Sequence, residues 1–235
     1  MSSVGRLALA GVVLYAGRQY FRNWGATKEE TQMVLPGDEL IEEPAVQTTE
    51  AEWINAPAAR VWPWLLQLGQ DRGGLYSYNL LENLVGLHIR NADGMHPAWA
   101  RLAPGDSVRL VPTGWMGLRA GVTMTVAEVE PERLLVLRGS PLLSSGDAVW
   151  SFHIAPCGED RCRLLVRRRT RVRRRRDLVE IELAGPITAL MTRGMLRGIK
   201  SRVQAPLEHY VVDIDGDANR QVKSAPQAPS IQGEP

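Results

Sequence analysis

The stretch RGGLYSYNLLENLVGLHIRNAD, residues 72–93, decides how the rest of this chain is read. Gly73-Gly74 permits backbone angles that other residues avoid, which predicts a sharp turn. Behind it Leu80, Leu81, Leu84, Val85 and Leu87 recur near helical spacing, and Ser77 or Asn79 can cap the start. Tyr76, Tyr78, Asn79, Glu82 and Asn83 are then carried on an otherwise apolar element. Buried polar groups need partners, and a pocket wall is one place that supplies them.

Upstream, Val46 to Ile54 reads as a first strand that Asn55-Ala56-Pro57 stops. Pro57 suits the opening turn of a helix whose buried side is Val61, Trp62, Leu65, Leu66 and Leu68, and Pro63 sits early enough to be tolerated. Before that strand, Thr27 and Glu30 have capping-box spacing, which predicts a short helix from Lys28 to about Met33. Pro36-Gly37 ends it in a turn, and residues 38–45 are acidic and extended.

Downstream, the chain reads as hairpin-linked strands. Pro104-Gly105-Asp106 turns into Ser107–Val111, Val122–Val129 alternates, and Pro131-Glu132-Arg133 turns into Leu134–Arg138. Residues 112–121, with Trp115 and Met116 among glycines, form either an exposed hairpin loop or an apolar lip. In the last hairpin Trp150, Phe152 and Ile154 share one face of the first strand. Cys162, Leu164, Val166, Arg168, Thr170 and Val172 share one face of the second, leaving Arg163, Leu165, Arg167, Arg169, Arg171 and Arg173 outside. Bringing the apolar sets together requires pairings such as Ile154 with Leu164. Cys157 and Cys162 are then not opposed, so no disulfide is expected. Arg168 faces inward, where it needs a carboxylate such as Glu82 or an anionic ligand, unless its head reaches water at a frayed strand end. The outward arginines form a basic stripe, which is either a solvated sheet face balanced by acids elsewhere or a surface that suits anionic lipid better than nucleic acid, since no nucleic-acid module accompanies it.

The last element is a helix. Ile187, Leu190, Met191, Met195, Ile199 and Val203 recur at helical spacing, and Gly185-Pro186 marks its start or a kink in a helix beginning near Leu178. Gly194 and Gly198 allow close backbone approach. Met191 and Met195 give that face an adaptable surface. From Asp213 the chain is polar and Pro- and Gln-rich, as in a disordered tail.

Several of these blocks occur in a recognisable order: RNWGATKEE at 22–30, LPGDELI at 35–41, residues 54–87, and RGIKSR at 197–202. Together they resemble actinobacterial members of the SRPBCC superfamily, the START-like or polyketide cyclase/dehydrase-like helix-grip proteins. The resemblance covers roughly residues 22–205. It implies an α+β helix-grip fold, in which a curved antiparallel sheet wraps around a long C-terminal helix with two short helices closing one end. The chain departs from its relatives at Asn79-Leu80, where they read Asp-Trp, and at His88, where they read Asp. Asn79 cannot serve as a base in place of that Asp.

The chain has 235 residues and a net charge of +2, with ten of its arginines and no acid within residues 161–176. Two cysteines do not make a disulfide framework, so a cytoplasmic body is expected. LALAGVVLYAG at 7–17 is shorter than the roughly 20 residues a membrane span needs. Its readings are a membrane anchor or interfacial helix, a docked helix, and a signal peptide, in that order of preference. The expected organisation is residues 1–24 as this apolar segment, 25–45 as an arm, 46–212 as the helix-grip domain and 213–235 as tail. Nucleophile-elbow, zinc-protease, phosphate-loop and dinucleotide motifs are missing, and neither a metal nor a cofactor is expected. The expected function is binding or carriage of a small hydrophobic ligand, lipid or polyketide-like, between sheet and helix. Its lining would be Trp62, Tyr76, Tyr78, Asn79, Glu82, Asn83, Trp150, Phe152, Arg168, Met191 and Met195. The alternatives are a cyclase/dehydrase-type enzyme using Glu82 and Tyr78 for proton transfer, and a non-catalytic structural or partner-binding module.

Overall fold

The computed structural model describes residues 17–18, 20–78, 91–115, 118–141 and 146–205. Its elements in chain order are α1 (Lys28–Gln32), β1 (Val46–Ile54), α2 (Ala58–Leu66), β2 (Ser107–Val111), β3 (Val122–Glu130), β4 (Leu134–Gly139), β5 (Gly146–Pro156), β6 (Cys162–Val172) and α3 (Arg175–Gln204). One antiparallel sheet runs β1-β6-β5-β4-β3-β2, so the first strand lies beside the last. The curved sheet and the long C-terminal α3 make an α+β helix-grip fold. Of the two short helices expected, α2 is present; the other falls in residues 79–90, outside the described residues.

The register follows the side-chain alternation. Ile154 pairs with Leu164 and Phe152 with Val166, so the apolar sets of β5 and β6 meet on one face. That inner face supplies Val108, Met124, Val126, Leu135, Leu137, Phe152, Ile154, Leu164 and Val166 to a core completed by Trp62 and Leu65 of α2 and by Met195, Leu196, Ile199 and Val203 of α3. Each such side chain contributes about 1.5–3 kcal/mol by leaving water. Cys157 and Cys162 are free thiols, the latter buried. α3 starts at Arg175, three residues before Leu178, and carries Pro186 within it, so Gly185-Pro186 does not mark its start.

On the outer face the arginines are balanced by acids from elsewhere in the chain. This face is not a free basic stripe, because the segment before β1 lies across it. Thr27 and Glu30 form the capping box of α1, and the same Glu30 carboxylate receives Arg163. Arg167 is 1% exposed, donates to the carbonyls of Glu30 and Met33, and pairs with Asp38 at 2.6 Å. Arg169 meets Asp38 at 3.0 Å and donates to the Glu42 carbonyl. Ile41 packs with Leu134, Val136 and Val149. Gly37, at φ 90°, fits where an added Cβ would lie 3.0 Å from Val136. The arm therefore neutralises the arginines closest to it, and Arg171 and Arg173 remain exposed.

No helix among the described residues is long and apolar enough to cross a membrane. The run at 7–17 lies almost wholly outside them. Residues 17–18 and 20–22 are helical, and Arg18 and Arg22 both bind Glu182 of α3.

Candidate functional site

The Gly73-Gly74 turn forms as its sequence demands. Gly69 and Gly74 exchange backbone hydrogen bonds at 3.0 and 2.8 Å, and Gly73 donates to the Gln67 carbonyl. The chain then lays Tyr76, Ser77 and Tyr78 across α3. A Cβ on Gly198 would come within 2.0 Å of the Tyr76 carbonyl oxygen, and one on Gly194 within 2.8 Å of the Tyr78 ring. The two glycines are thus a seat for this segment rather than for the sheet. Asn91 holds the segment in place, accepting from the Tyr76 amide at 2.6 Å and donating to the Ser77 carbonyl. Tyr76 itself is core: it is 1% exposed, at φ 53°, with its ring edge-on to Trp64 and its hydroxyl beside Gln67. Burial pushes its phenol pKa up, so it keeps its proton at neutral pH.

Among the other expected lining residues, Trp62, Tyr76, Phe152 and Met195 fall in one apolar cluster with Trp150 packed against it. Trp150 and Phe152 stack with ring centroids 4.8 Å apart. Met191 belongs instead to a smaller cluster with Leu75, Val111 and Trp115. Asn79, Glu82, Asn83 and His88 lie outside the described residues.

Two rows of side chains cross the inner face of the sheet. In one, Thr48, Arg168 and Trp150 stand side by side on β1, β6 and β5. In the next, Glu50, Val166 and Phe152 do the same. Arg168 does face inward, as the alternation requires, and the field of Glu50 of β1 reaches it; Glu82, the expected mate, lies outside the described residues. Glu50 is 1% exposed, and no ion pair joins it to Arg168. Its Oε1, the Thr48 hydroxyl and the Trp150 indole N–H are all buried without a hydrogen-bond partner. Thr192 of α3 touches the Glu50 carboxyl and spends its own hydroxyl proton on the Thr188 carbonyl. Burial pushes the Glu50 pKa up to about 8, with Arg168 and Thr192 pulling the other way. Burial likewise opposes the charge on Arg168, and Glu50 favours it. Arg168 and Trp150 are each only partly buried, so this corner of the inner face is not closed over.

Glu50 was within reach of sequence reasoning. Val46, Thr48, Glu50, Glu52 and Ile54 alternate on one face of β1, and Val46 and Ile54 mark that face as inward. Glu52, on the same face, is taken by Lys200 of α3 at 2.8 Å.

An open cleft of about 350 Å³ lies on the opposite face of the sheet, between the arm and β5–β6, lined in part by Leu35, Pro36, Leu134 and His153. Its polar groups are already engaged with one another. Glu30 holds Arg163, and the His153 ring nitrogen Nε2 lies 2.9 Å from the Ser151 hydroxyl. Burial pushes the His153 pKa down to about 4. Among the described residues no group of His, Cys, Asp or Glu is arranged to hold a metal ion.

No family model matches the chain, and no curated protein matches it. Solved structures of similar outline exist. A solution structure of a Thermobifida fusca protein is 15% identical, covering 71% of this chain and 97% of its own, with a TM-score of 0.46. An Arthrobacter aurescens protein is 14% identical, covering 79% and 98%, with a TM-score of 0.44. A Thalictrum flavum norcoclaurine synthase mutant in complex with a transition-state analogue is 18% identical, covering 70% and 95%, with a TM-score of 0.39. Likeness at this level says nothing of the chemistry of this chain.

Proposed function

We propose that the protein binds a small hydrophobic ligand between the inner face of the sheet and α3. One observation carries this reading: an otherwise apolar interior holds Thr48, Glu50 and Trp150 with buried polar atoms that no protein group satisfies. Such groups cost about 1–3 kcal/mol each when left unpaired, and a bound ligand's polar end offsets that cost. The aromatic and aliphatic side chains around them, Phe152, Val166 and Met195 among these, suit the ligand's apolar body. The test is extraction of the purified protein followed by mass spectrometry, with titration of an apolar fluorophore. An extracted apolar molecule, or a saturable site for the fluorophore, is expected. A protein that yields no such molecule and does not bind the fluorophore is a structural module instead.

A second reading is an acid–base enzyme of cyclase or dehydrase type. Glu50 favours it, because a carboxyl that keeps its proton near pH 7 can donate it to a substrate. Glu50→Gln would then abolish turnover while leaving ligand affinity nearly unchanged; surviving turnover sinks the assignment. Tyr78 and Glu82 remain proton-transfer candidates under this reading.

Association with an anionic bilayer also belongs here as a proposal. Val179, Leu183 and Ile187 are exposed along one side of α3, with Tyr20 and Phe21 exposed on the helical residues bound to it. Arg171, Arg173, Arg174 and Arg176 are exposed near its start, and Glu180 is the exposed acid among them. Flotation with vesicles containing anionic lipid, and loss of flotation in Leu183→Glu, is the expected result.

A further inference from the structure

We propose that the interior site takes the carboxylate of an apolar acid, with Arg168 as its counter-ion and the Thr48 hydroxyl and Trp150 indole N–H as donors. The proposal rests on the binding reading above and names the ligand's polar end.

Charged and polar groups face this corner from three elements. From β6 comes Arg168; Arg163, Arg167 and Arg169 point outward to the arm. From β1 come Thr48, Glu50 and Glu52, the last already bound to Lys200. From α3 come Thr192 and, further along, Glu182, which is held by Arg18 and Arg22. Arg22 feels Arg168 and adds positive potential. Arg193 and Arg197 lie over the Trp24 ring. Among the described residues, the carboxylates near the corner other than Glu50 are therefore spoken for.

Glu50 does not supply the missing anion. It makes no ion pair with Arg168, and burial holds its carboxyl protonated at neutral pH. A neutral Glu50 leaves Arg168 a partly buried cation that donates to no acceptor among the described residues. Buried charges are costly unless paired, so an anion is the group this corner lacks.

The open valences agree. An indole N–H can only donate, a guanidinium can only donate, and a protonated carboxyl presents one more O–H. With the Thr48 hydroxyl able to turn either way, the corner is rich in donors and poor in acceptors. A planar carboxylate with four lone-pair sites matches that set and accepts from a guanidinium in parallel. One uncompensated cation fits a monoanion, whereas a phosphate monoester would bring a second charge without a partner. Phe152, Val166 and the α3 residues Met195 and Leu196 adjoin the corner, so the rest of the molecule must be apolar.

Dodecanoate and dodecan-1-ol, which share a chain and differ in the head, are suitable probes for isothermal titration with the full-length protein. Dodecanoate is expected to bind at least about tenfold more tightly than the alcohol at pH 7, as charge-assisted hydrogen bonds are stronger than neutral ones. Arg168→Met should erase that preference and leave the alcohol's affinity within about twofold. Trp150→Phe, which removes the N–H together with the pyrrole ring, should weaken dodecanoate by roughly three- to tenfold more than it weakens the alcohol, the shared packing loss cancelling in that comparison. Should Arg168→Met fail to fold, the Trp150→Phe comparison decides alone. Above pH 8, ionised Glu50 competes for Arg168, so dodecanoate affinity should fall in the wild type and hold in Glu50→Gln. Equal affinity for acid and alcohol in the wild type overturns the carboxylate assignment while leaving the binding reading intact. Binding of neither probe, together with an empty extract, overturns both.

Discussion

At Gly198 the smallest change a residue can undergo meets the Tyr76 carbonyl at 2.0 Å, and carbonyls do not yield as side-chain tips do. Gly198→Ala should therefore lower the urea midpoint by the equivalent of about 1–3 kcal/mol. Gly194→Ala should cost less, since the Tyr78 ring can swing away. Glu50 makes a prediction of the opposite sign. Its pKa is raised in the folded protein, so its contribution to stability is full below the ordinary value of 4.5 and is lost as pH rises through about 8. Glu50→Gln should stabilise the protein at pH 8 by roughly 1–3 kcal/mol more than it does at pH 5. A shift that is the same at both pH values means the carboxyl is not held protonated. At this scale the inward arginine was legible in the sequence, whereas Glu50 as its neighbour on the adjoining strand was not. Alternation says which face a side chain takes. It does not say which strand lies next door, and β1 pairs with β6 across most of the chain.

Among elements, the arm changes the meaning of β6. Read alone, Arg163, Arg167 and Arg169 are a charged surface; beneath Glu30 and Asp38 they are a buried lock. Asp38→Ala leaves Arg167 buried without its carboxylate and should cost about 3–5 kcal/mol in urea unfolding. Glu130→Ala breaks an exposed pair with Arg133 and should cost under about 0.5 kcal/mol. If the two variants unfold alike, the arm is not what covers this face in solution. The capping box of α1 was legible because its residues are three apart; that Glu30 also serves Arg163 was not, because the partner is 133 residues away. α3 taught a different lesson. Its start at Arg175 precedes the hydrophobic repeat, and Pro186 falls inside it on a half where Val179, Leu183 and Ile187 are exposed.

For the whole molecule, two buried titrating groups pull stability in opposite directions. His153 has a depressed pKa, so its contribution is present above the ordinary 6.5 and is lost as pH falls through about 4. Glu30 and Glu182 are likewise depressed by their arginine partners and lose their contribution below 4.5. Combined with Glu50, this predicts a stability maximum between about pH 4.5 and 6.5, measurable as urea midpoints from pH 4 to 9. A maximum above pH 8 contradicts the burial of Glu50. The pairing of β1 with β6 also matters before the molecule is finished. Their partners are separated by 108–124 residues, so on a ribosome adding about 5–20 residues per second β1 waits ~5–25 s for its neighbour to emerge. Through that interval the nascent chain presents an unmated strand edge, and its safe passage depends on whatever shelters it until translation catches up.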